Sequence, residues 1–499
     1  MLFNSVPFMI FLPIAAFAYY VIPQKFQKIY LLAISFYVYA CFDLRAVPFI
    51  VIAILSSFFA AKAIDANQGK ARKNALLTCV IVNVGMLCFF KYTNFLASSV
   101  VAVANMFGAD IVFDGFSLIA VTGISFFTFQ SVGYVADVYR GKIKAEENLL
   151  NYSLFIAFFP HVLAGPISRG GSLLPQMQQP KVFDYNGVRT GLQLMAIGFF
   201  KKIAVADMLA MFIGAVHNDL QSYSALMLIF TALAYSMQLY ADFSGYSDIA
   251  RGCAKVLGFD IIDNFNTPYL SASFKELWSR WHISLSSWFG SYVYISLGGN
   301  RKGEMRKYIN LAIVFLLSGL WHGSAWTFII WGALHAVYRV GEEVIGKFRK
   351  NTVSQQEKKN IFYWLKVVLV FALTTYAWIF FRANTVADAF YYVTHLVGNF
   401  SPSVFVSDLF RAVGNGFDFT PILIYGYIAF CMLAVAITVV MDLYRYFVLK
   451  GNCLTNAFAT MKWPVRYICY YALVALIMAG FLMQNGGYGA SASFIYANF

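Results

Sequence analysis

The chain has 499 residues, 60% of them apolar and only 12% charged, where a soluble domain carries roughly 25% charged residues. With 51 Phe, 32 Tyr and 9 Trp, this composition excludes a soluble multi-domain enzyme, a disordered chain and a disulfide-stapled secreted domain, and reads as one all-α polytopic membrane domain over residues 1–499. The net charge of +14 comes from Lys and Arg placed between apolar runs, as the positive-inside rule distributes them, so no nucleic-acid partner is expected.

About 20 apolar residues cross a bilayer as a helix. In chain order the expected spans lie near 5–22, 27–42, 46–64, 75–96, 190–215, 224–242, 308–321, 325–345, 362–381, 421–441 and 466–484, about 11 in all. Shorter or broken apolar pieces at 97–107, 116–136, 150–165 and 274–297 predict re-entrant or interfacial helices. Polar breaks are expected at 65–74, 141–149, 170–187, 298–307, 346–360 and 398–418. The first charge, Lys25, follows the first apolar run, so that run reads as a membrane helix and not as a cleaved signal peptide. Lys25 and Lys28, then Lys62, Lys70, Arg72 and Lys73, then Lys347, Arg349, Lys350, Lys358 and Lys359 mark cytoplasmic loops, which puts the N-terminus outside.

Five stretches carry candidate chemistry. In Phe158–Arg169, two prolines and a glycine interrupt an apolar segment, which predicts a kinked or re-entrant element; His161 has both a structural and a functional reading. Asp242 closes a charge-free run that starts at Leu220, and by spacing it falls at the membrane interface or lines a polar cavity. In Phe274–Tyr294, the residues Phe274, Trp278, Trp281, Leu285, Trp288 and Tyr292 recur every three or four positions and predict one aromatic-striped interfacial helix, with His282 at its border. The glycine-rich turn 297–303 carries Arg301 and Lys302 and reads as a positive cytoplasmic turn or as a phosphate contact, without a Walker lysine motif.

The fifth stretch, Tyr308–Tyr338, contains no Asp, Glu, Lys or Arg. As one helix it would reach roughly 46 Å, beyond a hydrocarbon core of about 30 Å. Small residues flank Trp321-His322 at its centre, which predicts a break there. Two readings stand. Gly319 and Gly323 can form a helix-packing face with His322 merely bonded to a neighbour, or His322 can be a buried neutral base for a hydroxyl. His335 is expected to make a polar contact within the bundle. The seven cysteines include no C-x-x-C pair and read as small apolar residues; neither a metal site nor a disulfide framework is expected.

At these residues the chain resembles the membrane-bound O-acyltransferase (MBOAT) family, in the bacterial branch of alginate O-acetylation membrane proteins. The matching pieces are 158–169, Ile124–Gln130, Asp137–Gly141, Asp242–Ser247, Trp281–Ser286, Leu297–Arg301 and Gly319–Gly323 with Trp326–Phe328. The resemblance implies a ring of helices around a thin centre crossed by a tunnel, with a motif-bearing core over 110–345 flanked by helices at 1–109 and 346–499. It implies transfer of an acyl group, most often acetyl, from a cytoplasmic thioester (acetyl-CoA or an acyl-carrier thioester) to a hydroxyl of a cell-surface or exported polysaccharide. His322 and His282 take the places of the two family histidines, with Trp321, Trp281, Asp242, His161, Arg301 and Lys302 as substrate contacts. No bound cofactor is implied. The implied setting is the bacterial cytoplasmic membrane, with an extracytoplasmic SGNH-like partner completing the transfer. One departure is that relatives carry an Arg-Asp pair after the Trp-Phe of Trp288-Phe289, where this chain has Gly290-Ser291. D-alanyl transfer to a cell-wall polymer, or a lipid-linked sugar or acyl transporter without catalysis, are the alternative readings.

Overall fold

The computed structural model describes residues 3–348, 360–398, 400–414 and 421–486. The loop lysines and arginines of 349–359 lie outside them. Contacts divide the chain into two compact units, Met1–Leu192 with Ala250–Ile262, and Gln193–Ile249 with Asp263–Phe499. Among the described residues both units are helical, and the one β element is an isolated bridge.

The first unit holds α1 (Val6–Val21), α2 (Gln24–Ala40), α3 (Val47–Ala66), α4 (Gly69–Met106), α5 (Ile124–Tyr139), α6 (Leu149–Ala157), α7 (Gly170–Gln178) and the start of α8 (Tyr185–Phe199). α5 is buried along nearly its whole length. Polar side chains tie its neighbours together. Tyr152 donates to Ser57 Oγ at 2.6 Å, and Asn83, fully buried in α4, donates to Ser56 Oγ at 3.0 Å. Such bonds hold helices together where apolar burial cannot distinguish helix from lipid. The expected break near 97 is absent, because α4 continues unbroken through that position.

The second unit contains α9 (Met208–Asn218), α10 (Ala225–Val256, whose last residues belong to the first unit), α11 (Phe274–Arg280), α12 (Ile283–Phe289), α13 (Glu304–His322), α14 (Trp326–Phe348), α15 (Ile361–Arg382), α16 (Val386–Thr394), α17 (Pro402–Gly414), α18 (Pro421–Phe447), α19 (Thr455–Thr460) and α20 (Trp463–Gly486). The polar stretch 398–418, expected as a break, holds α17.

Among the described residues, six helices are long and apolar enough to cross a membrane: Leu44–Ala66, Gly69–Met106, Ala225–Val256, Ile361–Arg382, Pro421–Phe447 and Trp463–Gln484. Several leave apolar side chains exposed, such as Ile81 in α4 and Ile468, Tyr471 and Leu482 in α20. Those are the faces a lipid chain would cover. The other expected spans also fall on helices.

Between α8 and α9 the chain passes through a π-helical segment, Phe200–Asp207. Beside it, α8 and α10 meet backbone to backbone. A Cβ placed on Gly198 would lie 2.6 Å from the Gly245 carbonyl oxygen, and one on Gly245 would lie 2.8 Å from that of Gly198. This approach carries the π segment's lysines against α10. Gln484 of α20 donates to the Ile203 carbonyl at 3.4 Å.

Candidate active site

α13 ends at His322 because Gly323 adopts an extended backbone, and α14 restarts at Trp326. The expected break is therefore present, directly after the histidine. The two helices then run back against each other at very short range. A Cβ on Gly319 would lie 2.3 Å from the Phe328 carbonyl oxygen, and one on Gly323 would lie 2.0 Å from the Phe328 ring. The glycines serve close packing, and that packing buries His322. Gly319→Ala is expected to lower stability by about 1–3 kcal/mol through overpacking, seen as a lower Tm in detergent. An unchanged Tm would show that the backbones have room to separate.

His322 is 2% exposed and enclosed by rings. Trp331 and Phe381 lie at 5.1 and 5.3 Å between centroids, and Trp331 stacks on Trp378 at 5.5 Å. The adjacent Trp321 touches both histidines, at 5.0 Å from His322 and 5.8 Å from His282. The His322 and His282 rings lie 6.4 Å apart. Two residues distant in sequence thus converge in one buried aromatic chamber, walled by packed rings, and polar interactions strengthen in such surroundings.

His282 does not sit on a continuous helix, so the reading of 274–294 as one interfacial helix is corrected. The segment breaks into α11, α12 and a π-helical turn, Gly290–Tyr294. The break arises because residues 280–283 pair with 264–266 instead of continuing the helix. Asn266 N–H donates to the Arg280 carbonyl at 2.9 Å, Ile283 N–H donates to the Asn264 carbonyl at 3.0 Å, and Phe265 and Trp281 form the bridge. The pairing leaves His282 in the left-handed region at φ 44°, uncommon for a residue with a Cβ. The ring is fully buried, edge-on to Phe243 at 4.6 Å, and burial pushes its pKa down to about 3. The imidazole is therefore neutral near pH 7.

The loop that presents His282 is clamped from far along the chain. Arg445, near the end of α18, donates to the Phe265 carbonyl at 2.9 Å and to Asp263 Oδ2 at 2.6 Å. It thus grips both neighbours of Asn264.

The remaining expected residues fall as follows. Trp281 is buried among Trp378, Phe265 and Tyr269. Asp242 is 2% exposed and faces a cation inside the unit. Lys202 Nζ lies 2.5 Å from Asp242 Oδ1 and 2.7 Å from Asp207 Oδ1, and the helix continues through Asp242 because that charge is met inside. Sequence reasoning missed Lys202. The available signal was a lysine pair in the middle of the apolar run 190–215. Arg301 and Lys302 lie in an exposed turn, which Asn310 ties to α13 by donating to the Gly299 carbonyl at 2.9 Å. His161 belongs to the first unit, fully turned inward beside Phe158. His335 contradicts its expected polar contact. Among the described residues neither ring nitrogen has a hydrogen-bond partner, and it packs against Trp278 and Trp331, each at 4.9 Å, because the aromatic stripe of α11 faces it.

Beside the chamber, a cleft of about 570 Å³ opens between α11, α12 and α13. Its walls include Trp278, Phe289, Leu311 and Phe315, with Lys275 and Arg339 also in its lining. Ser318, one turn before His322, forms part of its wall. Gly290 lies there too, and a Cβ added to it meets nothing within 4 Å. The described residues include no group of three or more His, Cys, Asp or Glu arranged to hold a metal ion.

The chain is 37% identical over 390 residues to a protein of Pseudomonas putida named "Probable alginate O-acetylase", covering 77% of this chain and 78% of the relative. It is 34% identical over 435 residues to the peptidoglycan O-acetyltransferase of Helicobacter pylori, covering 80% of each chain. Similarity to the teichoic acid D-alanyltransferase of Bacillus subtilis is 32% over 250 residues, covering 47% of this chain and 62% of the relative. Residues 36–382, which include both chamber histidines, match the family model, and the chain belongs to the MBOAT, membrane-bound O-acyltransferase, family.

Proposed function

We propose that this O-acyltransferase moves an acetyl group from a cytoplasmic thioester, acetyl-CoA or an acyl-carrier thioester, to a hydroxyl of a cell-surface or exported polysaccharide. The observation that carries the reading is the pair of buried histidines, 6.4 Å apart, in one aromatic chamber. The names of the Pseudomonas putida and Helicobacter pylori relatives support the acetyl group and the glycan acceptor. His322 accepts the hydroxyl proton as the oxygen attacks the thioester carbonyl. The new ester forms, the C–S bond breaks, and the proton passes to the leaving thiolate. His282 helps orient the reacting groups. The apolar cleft beside Ser318 gives the donor a way in, and the Arg301–Lys302 turn meets its phosphates. Trp321, Trp281 and Asp242 complete the surroundings in which substrate is held, and His161 is a separate candidate substrate contact within the first unit. The wider setting is a bacterial cytoplasmic membrane protein of about 11 spans around a central tunnel, its N-terminus outside, with an SGNH-like partner on the extracytoplasmic side completing delivery to the polysaccharide. D-alanyl transfer to a cell-wall polymer is the second reading, favoured by the Bacillus subtilis relative.

The test supplies radiolabelled acetyl-CoA and bacterial envelope membranes to the purified protein and follows the label. Label on glycan or a partner protein with wild type, and not with His322→Ala, supports the reading. Equal labelling by both removes His322 from the chemistry. Labelling from a D-alanyl carrier thioester instead favours the second reading.

A further inference from the structure

The bonds around Asn264 determine more about His282 than its position. Asn264 is fully buried on the loop that Arg445 clamps. An amide side chain can be turned either way, and its oxygen and nitrogen are told apart by the groups they meet. Here the backbone N–H of Ser284 points at Asn264 Oδ1 from 3.1 Å, and a backbone N–H only donates. The atom it meets is therefore the oxygen. The Ser284 hydroxyl donates to the same oxygen at 2.9 Å, and Asn264 Nδ2 donates the other way, to Ser247 Oγ of α10, at 3.3 Å. The Ser284 N–H thus sets the orientation of the amide, and the Ser247 hydroxyl is free to accept at the other end.

His282 Nδ1 lies 3.2 Å from that same oxygen. An amide oxygen only accepts, so Nδ1 carries the hydrogen. The ring is neutral, and a neutral imidazole with its hydrogen on Nδ1 has a bare lone pair on Nε2.

We propose that Asn264 is a positioning residue for acyl transfer: it fixes the Nδ1–H tautomer of His282, so that His282 offers Nε2 to the substrates as a hydrogen-bond acceptor. This rests on the placement of His282 in the reaction chamber. It gives His282 a defined part. The neutral ring presents no N–H to the thioester carbonyl, so its partner is a hydroxyl or amide N–H of a substrate. The side chains around the ring are Ser284 of α12, Phe243 of α10, and Trp321 and His322 of α13; His322 is the titratable one among them.

Two measurements test this. The first is the nitrogen-15 spectrum of histidine-labelled protein in nanodiscs, with the His282 resonances assigned by their loss in His282→Asn. Hydrogen on Nδ1 and none on Nε2 is the expected result, and hydrogen on Nε2 overturns the proposal. The second is the pH profile of kcat/KM for the thioester in wild type, Asn264→Ala and Asn264→Asp. Asn264→Ala is expected to lower kcat between about 10- and 10²-fold with little change in KM, as for partial loss of an oriented acid–base group. Asn264→Asp keeps an acceptor for Nδ1–H and adds a negative charge beside the ring. It is expected to recover activity relative to Asn264→Ala, with the acid limb moved up by at least about one pH unit. Equal loss in both variants with an unmoved acid limb would make Asn264 merely structural and overturn the proposal. A His282→Asn variant with wild-type turnover would instead overturn the placement of His282 in the reaction, whatever Asn264 does.

Discussion

His322→Ala is expected to lower kcat by a factor of about 10²–10⁴, the usual contribution of a positioned general base, while KM for the thioester changes little. The expectation follows from the chamber. His322 is the last residue of α13, 2% exposed, with Trp331 and Phe381 packed on its ring. Those rings still enclose the site when the imidazole is removed. Single-turnover transfer by protein of unchanged Tm is the decisive measurement. A loss confined to KM would make His322 a binding group, and a loss that tracks Tm would make it a packing group. His322→Gln keeps polarity and approximate size without basicity, and is expected to match His322→Ala in kcat.

Lys202→Met is expected to be the most destabilising single change in the second unit, at about 3–5 kcal/mol, the usual consequence of leaving buried charge without its partner. Lys202 Nζ stands between Asp207 and Asp242, with every member of the triad no more than 4% exposed at its side chain. Removing the cation leaves two carboxylates facing each other away from water. Adding Asp242→Asn to Lys202→Met is expected to restore part of the lost Tm, since it removes one of those carboxylates. If the double variant melts below Lys202→Met, the triad is not held together by charge. Both changes are best read by thermal unfolding in one detergent, because the reference state of a membrane helix depends on its solvent.

Much of the helical layout was legible in the sequence because a membrane span requires a long apolar run with few charges, and such runs can be counted. The break after His322 was legible for a related reason: an uncharged run too long for the bilayer, with small residues at its centre, had to turn. What could not be read was set by contacts between residues far apart. Nothing in Phe274–Tyr294 indicates that the aromatic stripe should stop at Trp281, because the strand-like pairing that stops it is supplied by residues 264–266. The two readings of Asp242 could not be resolved because its partner, Lys202, lies forty positions earlier, and the π-helical segment and glycine contact that bring them together leave no periodic signal. Asn264 carried no motif, and its part follows only from the side chains and backbone it meets.

The Arg445 clamp bears on how chains of this family can be recombined. The resemblance to the family model ends at residue 382, yet the arginine that holds the His282 loop in shape lies sixty-three positions beyond it, on α18. A chimera that kept residues 1–382 and took its tail from a relative would inherit every recognisable motif and still lack a defined loop, unless the donor tail brought a cation to the same place. Such a hybrid is expected to fold its long helices and to turn over poorly, and grafting the single arginine into the foreign tail is expected to recover part of the activity. The end of the family-model match is therefore a poor cutting point, and the tail belongs with the His282 loop as one exchangeable part.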